Sequence, residues 1–168
     1  MRRPPPGPRY NRTMPARREV WLLRHCEAED AREPGGDFAR VLTRAGKGAA
    51  DRIGRDLADR GLHVARVVSS PLPRARETAA RAAAGIAPAI SIEEDRRLAP
   101  GVGPGDLVEE LLLEGRLPAM LVGHNPDLEI LAQSLCGRDV KFKKGTLVRF
   151  APKGKQFSVV EVIPPPER

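Results

Sequence analysis

The stretch Glu19-Val20-Trp21-Leu22-Leu23-Arg24-His25-Cys26-Glu27 runs from an apolar segment straight into a charged tip. A second stretch, Ala119-Met120-Leu121-Val122-Gly123-His124-Asn125-Pro126, does the same almost a hundred residues later. Short continuous apolar runs bounded by turn signals read as strands buried on both faces. Two histidines therefore stand at the C-terminal tips of two buried strands. In open α/β sheets ligands gather in the crevice outside those tips. The chain has three histidines, and two of them occupy such positions.

Working outward from Glu19–His25, the segment 28–42 mixes charges with Pro34-Gly35-Gly36 and reads as a loop with at most a short helical turn. Thr43 is placed to cap a helix to Arg60, with Ala45, Ala49, Ile53 and Leu57 as its apolar positions and Gly61 as its stop. Gly46, Gly48 and Gly54 weaken that helix, each by about 1 kcal/mol relative to Ala. Val64–Ser69 is a second strand and Pro73–Ala84 a second helix closed by Gly85. Ala89–Ile92 is a short strand, and the Pro- and Gly-rich run 98–105 is a loop. Asp106 caps a helix through Glu114, Leu117–Val122 is the next strand, and Asn125 with Pro126 begins a helix to Cys136. Thr146–Phe150 and Phe157–Ile163 form a hairpin around Pro152–Lys155. No internal repeat is present. Strands alternating with helices predict an α/β fold: a three-layer helix/sheet/helix sandwich with a mostly parallel sheet and an edge hairpin.

At 168 residues, 40% hydrophobic and 30% charged, the composition is that of a globular chain with one core. Aromatic residues make up 4%, so aliphatic side chains and alanine must fill that core. Residues 1–18 hold six arginines and no acid, so the formal charge of +7 is concentrated there and the other 150 residues carry +1. We expect 1–18 to be a disordered, basic, Pro-rich tail, 19–163 the domain, and 164–168 a short C-terminal tail. Contact of the basic tail with nucleic acid or anionic lipid is the less favoured reading. No apolar run is long enough for a membrane span, and no signal-peptide pattern appears. Cys26 and Cys136 read as reduced thiols, and a cytoplasmic location is the expectation.

The residues at the strand tips suggest a chemistry. Arg24 beside His25 offers a bidentate anion fork next to an imidazole. Ser70-Pro71-Leu72-Pro73-Arg74 places Arg74 in the first turn of a helix, whose N-terminus favours anions. His124 and Asn125 stand at a third such junction. Parallel strands bring these groups to one side of the sheet, where they suit a phosphoryl group. The chain holds no carboxylate pair or Cys/His cluster, so no metal and no cofactor is expected, and no P-loop motif is present.

Leu23–Ala28, Ser70–Ala79 and Val122–Pro126 resemble the three signature blocks of the histidine phosphatase superfamily. Leu42-Thr43-Arg44-Ala45-Gly46 resembles the element that follows the first block. The Gly-His-Asn-Pro block and the closing hairpin look most like the SixA-type phosphohistidine phosphatases. The resemblance covers about Glu19 to Ile163 and implies a phosphoglycerate mutase-like fold. It implies His25 as nucleophile, with Arg24, Arg74 and His124 holding the phosphoryl oxygens and Ser70 and Asn125 as further substrate contacts. The partner it implies is a phosphorylated protein bearing phosphohistidine. A small phosphorylated molecule (sugar phosphate, nucleotide or polyphosphate) is the alternative, and a non-catalytic phosphate- or nucleic-acid-binding module a third reading.

This chain departs from the pattern twice. Cys26 stands where a glycine usually follows the nucleophile, so a thiol at the pocket floor is expected, either as a tolerated small side chain or as a redox switch. No glutamate occurs in Arg97–Gly101, where a general acid is expected. Asp127, Glu27 and Glu94 are the fallback acids. A protonated phosphoimidazole leaves as neutral imidazole and needs less acid help than an alkoxide, which favours a phosphoramidate substrate. His63, Arg76 and Arg81 read as surface residues, with Arg76 a candidate for the pocket rim, and Cys136 as a core residue. Lys141, Lys143 and Lys144 read as a solvated basic turn or a dock for an acidic partner.

Overall fold

The computed structural model describes residues 18–167. The expected basic tail, apart from Arg18, lies outside the described residues. Strand β1 (Val20–Arg24) is followed by a loop with a 3-10 turn at Asp37–Ala39, helix α1 (Arg44–Asp59), strand β2 (Arg66–Ser69) and helix α2 (Pro73–Ile86). Strand β3 (Ile92–Glu94), helix α3 (Leu107–Leu113), strand β4 (Ala119–Gly123), helix α4 (Asp127–Cys136) and the hairpin β5 (Leu147–Lys153) and β6 (Gln156–Ile163) complete the chain. The sheet order is β3-β2-β4-β1-β5-β6. Its first four strands are parallel, and the hairpin adds antiparallel to β1.

Alternation along β1 explains the layering. Trp21 and Leu23 face α1 and α2, packed with Ile53, Leu57, Ala79 and Ala82. Val20 and Leu22 face α3 and α4, packed with Leu107, Leu111, Leu128 and Leu131. A sheet covered on both faces is the setting that parallel strands require. Small residues let α1 and α2 approach closely. A Cβ on Gly85 would lie 2.6 Å from the Gly54 Cα, and one on Gly54 would lie 2.6 Å from the Ala82 carbonyl oxygen.

Several sequence expectations are corrected here. The buried face of α1 is Gly46, Ala50, Ile53, Gly54 and Leu57, while Ala45 is exposed. Gly46 and Gly54 are thus contact positions, because the helix packs backbone against backbone there. Gly85 lies inside α2 and does not end it, for the same reason. The third strand starts at Ile92, since Ala89 and Ile90 follow the α2 terminus in a turn closed by Ile90 N–H to Ala87 O at 3.0 Å. Asp106 sits at the α3 N-cap without capping it, and its carboxylate accepts from Arg97 at 3.2 Å. Helix α4 begins at Asp127, and Asn125 does not cap it. The hairpin strands extend to Lys153 and from Gln156, which shortens the connection to Gly154-Lys155. Thr43 does cap α1, accepting from Gly46 N–H at 2.9 Å.

A Cβ at Gly46 would lie 2.0 Å from the carbonyl oxygen of Glu27, a backbone atom that cannot swing aside. Gly46→Ala is therefore expected to lower stability by about 2–3 kcal/mol, an overpacking cost that outweighs the ~1 kcal/mol gain in helix propensity. Urea unfolding measures the difference, and an unchanged midpoint would contradict the close approach.

Candidate active site

The register of β1 against β4 pairs Arg24 with Gly123, and the next residue, His25, donates its backbone N–H to Gly123 O at 3.1 Å. The residues one step beyond both strands are the two histidines. Their ring centroids are 5.1 Å apart at an interplanar angle of 53°. On the other side of β4, Ser69 pairs with Val122 and Ser70 N–H donates to Val122 O at 2.9 Å. This brings Ser70 to His124, with Ser70 Oγ 2.8 Å from His124 Nε2. Pro73 opens α2, so Arg74 lies in its first turn.

Each ring has one nitrogen engaged. His25 Nδ1 lies 2.7 Å from the Cys26 carbonyl. Only a protonated nitrogen bonds a carbonyl, so Nδ1 carries the proton and Nε2 keeps its lone pair. Ser70 Oγ also accepts from Leu72 N–H at 3.2 Å; with its own proton turned to His124 Nε2, the protonated nitrogen of that ring is Nδ1. His124 Nδ1 is buried without a hydrogen-bond partner, as are Arg24 Nε and Arg74 Nε. Unpaired buried donors are costly and uncommon. Three such atoms on residues around one imidazole are an arrangement that can accept a multi-oxygen anion.

The arginine tips are held from behind. Arg24 Nη1 donates to Phe142 O at 2.8 Å. Arg74 is 4% exposed; its Nη1 donates to Asp37 O at 2.7 Å and its Nη2 to Asp37 Oδ2 at 2.9 Å. Asp37 was not among the sequence candidates. It lies 37 residues from Arg74 in the chain, inside a segment that reads as loop, and no local pattern marks it. The Asp37 carboxyl is held below its ordinary range by the bond from Arg40, with Arg74 adding to the effect against partial burial. Thr78, also missed as a site residue, accepts from Cys26 N–H at 3.1 Å and donates to Arg74 O at 2.8 Å.

The remaining candidates fall around this centre. Asn125 uses its amide nitrogen on Glu129 Oε1 (2.9 Å) and Phe142 O (3.1 Å), leaving only an acceptor oxygen. Ser70 Oγ serves His124 and Leu72. Of the fallback acids, Asp127 accepts from Gly101 N–H at 2.8 Å, Glu27 accepts from the Thr43 hydroxyl at 3.2 Å, and Glu94 pairs with Arg76 at 2.8 Å. The Arg76 partner on β3 accounts for that side chain, and Arg81 pairs with Asp51 at 3.1 Å. Cys26 has no left-handed backbone, so it needs no glycine. Its thiol belongs to the core shared with α1 and α2 and not to the pocket floor, and burial raises its pKa to about 11. Cys136, the last residue of α4, is only partly buried against the core that α3 and α4 share.

Burial pushes the His25 pKa down to about 4, reinforced by the charges of Arg74, Arg24 and Lys144 against the opposing Cys26 carbonyl. Burial likewise takes His124 to about 3, with His25, Arg74 and Arg24 adding to it and Asp37 opposing. Both rings are neutral at physiological pH.

A mostly parallel α/β sheet with two neutral imidazoles at its strand tips and two arginines beside them defines the class: an α/β protein whose crevice suits a phosphoryl-like anion. The family model of the histidine phosphatase superfamily (branch 1) matches residues 20–99. An uncharacterised protein of Picosynechococcus sp. (strain ATCC 27264 / PCC 7002 / PR-6) is 32% identical over 138 residues, which is 77% of this chain and 82% of the relative. This chain belongs to the histidine phosphatase superfamily. The fold matches the protein histidine phosphatase SixA complexed with tungstate (TM-score 0.79, 22% identity, covering 88% of this chain and 97% of that one). It also matches a proposed SixA phosphohistidine phosphatase from Agrobacterium tumefaciens (0.72, 25%, 91% and 100%). A mycobacterial glucosyl-3-phosphoglycerate phosphatase in complex with VO3 shares the fold as well (0.68, 16%, 87% and 98%). No helix among the described residues is long and apolar enough to cross a membrane.

The histidine environment predicts a pH response. The His25 and His124 ring resonances should stay in their neutral positions as pH falls from about 8 to 5, with midpoints near 4 and 3. Because both folded pKa values lie below the ordinary 6.5, the unfolded chain takes up protons first. Their contribution to stability is complete above about pH 6.5 and is lost as pH falls from there toward 4. Histidine NMR titration and thermal melts across that range test both statements; ring titration near 6.5 would refute them.

Proposed function

We propose that this phosphatase hydrolyses phosphohistidine on a partner protein through a covalent phosphohistidine formed on His25. The observation that carries the reading is the set of three buried donors without partners, Arg24 Nε, Arg74 Nε and His124 Nδ1, around a histidine whose Nε2 lone pair is free. In the first step Nε2 attacks phosphorus, the N–P bond to the substrate imidazole breaks, and that imidazole leaves carrying its proton as a neutral group. The three donors take the equatorial oxygens, where preorganised positive groups supply most of the rate. In the second step water attacks the phosphorus, the bond to Nε2 breaks, and orthophosphate departs. Asn125 and Ser70 act here by holding Phe142 and His124 in place.

The choice of a phosphoramidate rests on the acids. Asp37 is ionised and bonded to two arginines, and Asp127, Glu27 and Glu94 are engaged elsewhere. An alkoxide leaving group would go without the ~10²–10⁴-fold that a general acid contributes. A second reading, hydrolysis of a small phosphorylated molecule, draws support from the shared fold of the glucosyl-3-phosphoglycerate phosphatase.

His25→Ala should lower turnover by more than about 10³-fold, and the wild type should trap an acid-labile, base-stable phosphoenzyme. Undiminished turnover in that variant would remove His25 from the role. Against a substrate panel, a phosphohistidine peptide should exceed alkyl phosphomonoesters by about 10²-fold or more in kcat/KM. The reverse order would favour the small-molecule reading.

A further inference from the structure

The loop between α4 and β5 is tied to the site at several points. Phe142 O accepts from Arg24 Nη1 at 2.8 Å and from Asn125 Nδ2 at 3.1 Å. Gly145 N–H points to Arg24 O at 3.0 Å and His25 O at 3.2 Å, and Lys143 and Thr146 close the turn with Thr146 N–H to Lys143 O at 2.9 Å. Lys143 and Lys144 therefore sit on backbone that is bonded to the carbonyl of the proposed nucleophile. Both are exposed, and neither side chain has an ion-pair partner among the described residues.

Other cations near the mouth have carboxylates or carbonyls beside them. Arg74 and Arg40 share Asp37, and Lys141 pairs with Glu129 at 2.9 Å. The charge of Lys144 reaches the His25 ring. On the other side the exposed residues are the Asp37 carboxylate and the apolar Phe38 and Val41. Lys144 is thus an exposed cation without an ion pair that acts on the His25 ring, with Lys143 its neighbour in the chain. Free charges carried on a tethered loop beside a reacting centre act chiefly on which substrates are selected and how fast they arrive.

We propose that Lys143 and Lys144 bind a second anionic group, a carboxylate or phosphate, lying next to the phosphoryl group that His25 accepts, so that the enzyme selects substrates carrying that second charge. The inference rests on the site reading given above and adds the substrate feature that the rim recognises. On a partner protein the second anion is an acidic side chain flanking the phosphohistidine; on a small substrate it is a further phosphate or carboxylate.

Two phosphohistidine peptides, identical except for Asp or Asn flanking the phosphohistidine, distinguish these cases on the full-length protein. Wild type should favour the Asp peptide by about fivefold in kcat/KM, and the preference should shrink with added salt. In the K143S/K144S protein the ratio should fall to about one, with most of the loss already present in K144S. Calorimetric binding of inorganic phosphate against pyrophosphate supplies a readout independent of turnover. A lysine-dependent preference for pyrophosphate without a preference for the Asp peptide assigns the second anion to a small molecule and still supports the inference. If wild type turns over neither peptide yet shows that pyrophosphate preference, the phosphohistidine reading fails and the second-anion inference stands. Equal values for both pairs in wild type, or preferences that survive in K143S/K144S, overturn it.

Discussion

When His25 donates its backbone N–H to Gly123 O at 3.1 Å, it closes the parallel ladder that sets β1 beside β4. Shifting that register by a single residue would turn Trp21 and Leu23 toward α3 and α4 and Val20 and Leu22 toward α1 and α2. Both sheet faces are buried, so the slip would misfit two cores at once. The packing of aliphatic side chains far from the chemistry therefore fixes the imidazoles at 5.1 Å. Strand β2 contributes in the same way, since its register against β4 delivers Ser70 to His124 and starts α2 where Arg74 is needed.

The same burial that orders these groups sets their protonation. An imidazole flanked by two guanidinium groups and removed from water is held neutral, and a neutral ring with Nδ1 tied to a carbonyl has a lone pair to offer at Nε2. Desolvation also leaves Arg24 Nε, Arg74 Nε and His124 Nδ1 without partners. The fold bears that cost, of about 1–3 kcal/mol for each unsatisfied group, at the positions where an oxyanion would relieve it. Stability given up at a site in this manner is the usual mark of a binding function.

Much of this was legible in the chain. Apolar runs ending in Arg24-His25 and Gly123-His124, the Thr43 cap and the Pro73 start depend on local rules, and local rules survive folding. The misreadings have a common origin in contacts between segments remote in sequence. Gly46, Gly54 and Gly85 look like helix weaknesses until α1 meets α2 and the Glu27 backbone. Asn125 has the composition of a cap, but α4 starts one residue later than a cap there requires, and its amide nitrogen is drawn to Glu129 and Phe142 while Oδ1 caps nothing. The hairpin outgrew its predicted turn because Pro152 tolerates a position in β5 that pairs with Phe157. Asp37 was invisible because its importance comes only from Arg74, a residue of another element.

Asp37 also alters the charge balance at the site. With both imidazoles neutral, the pocket's formal charges are Arg24 and Arg74 against the Asp37 carboxylate, a net of one positive charge facing a phosphoryl dianion. A partial mismatch of this kind can be met from two directions. One is the dianion's own field, which raises the proton affinity of His124 against the burial that lowers it. The second source is the loop that carries Lys143 and Lys144, tethered to the His25 carbonyl through Gly145. Charge on that loop is exposed and screened by salt, so it contributes less to the transition state than to which anions reach the pocket. The buried groups can then serve the phosphoryl transfer itself while the rim discriminates among its bearers, a division that follows from the different dielectric surroundings of the two sets.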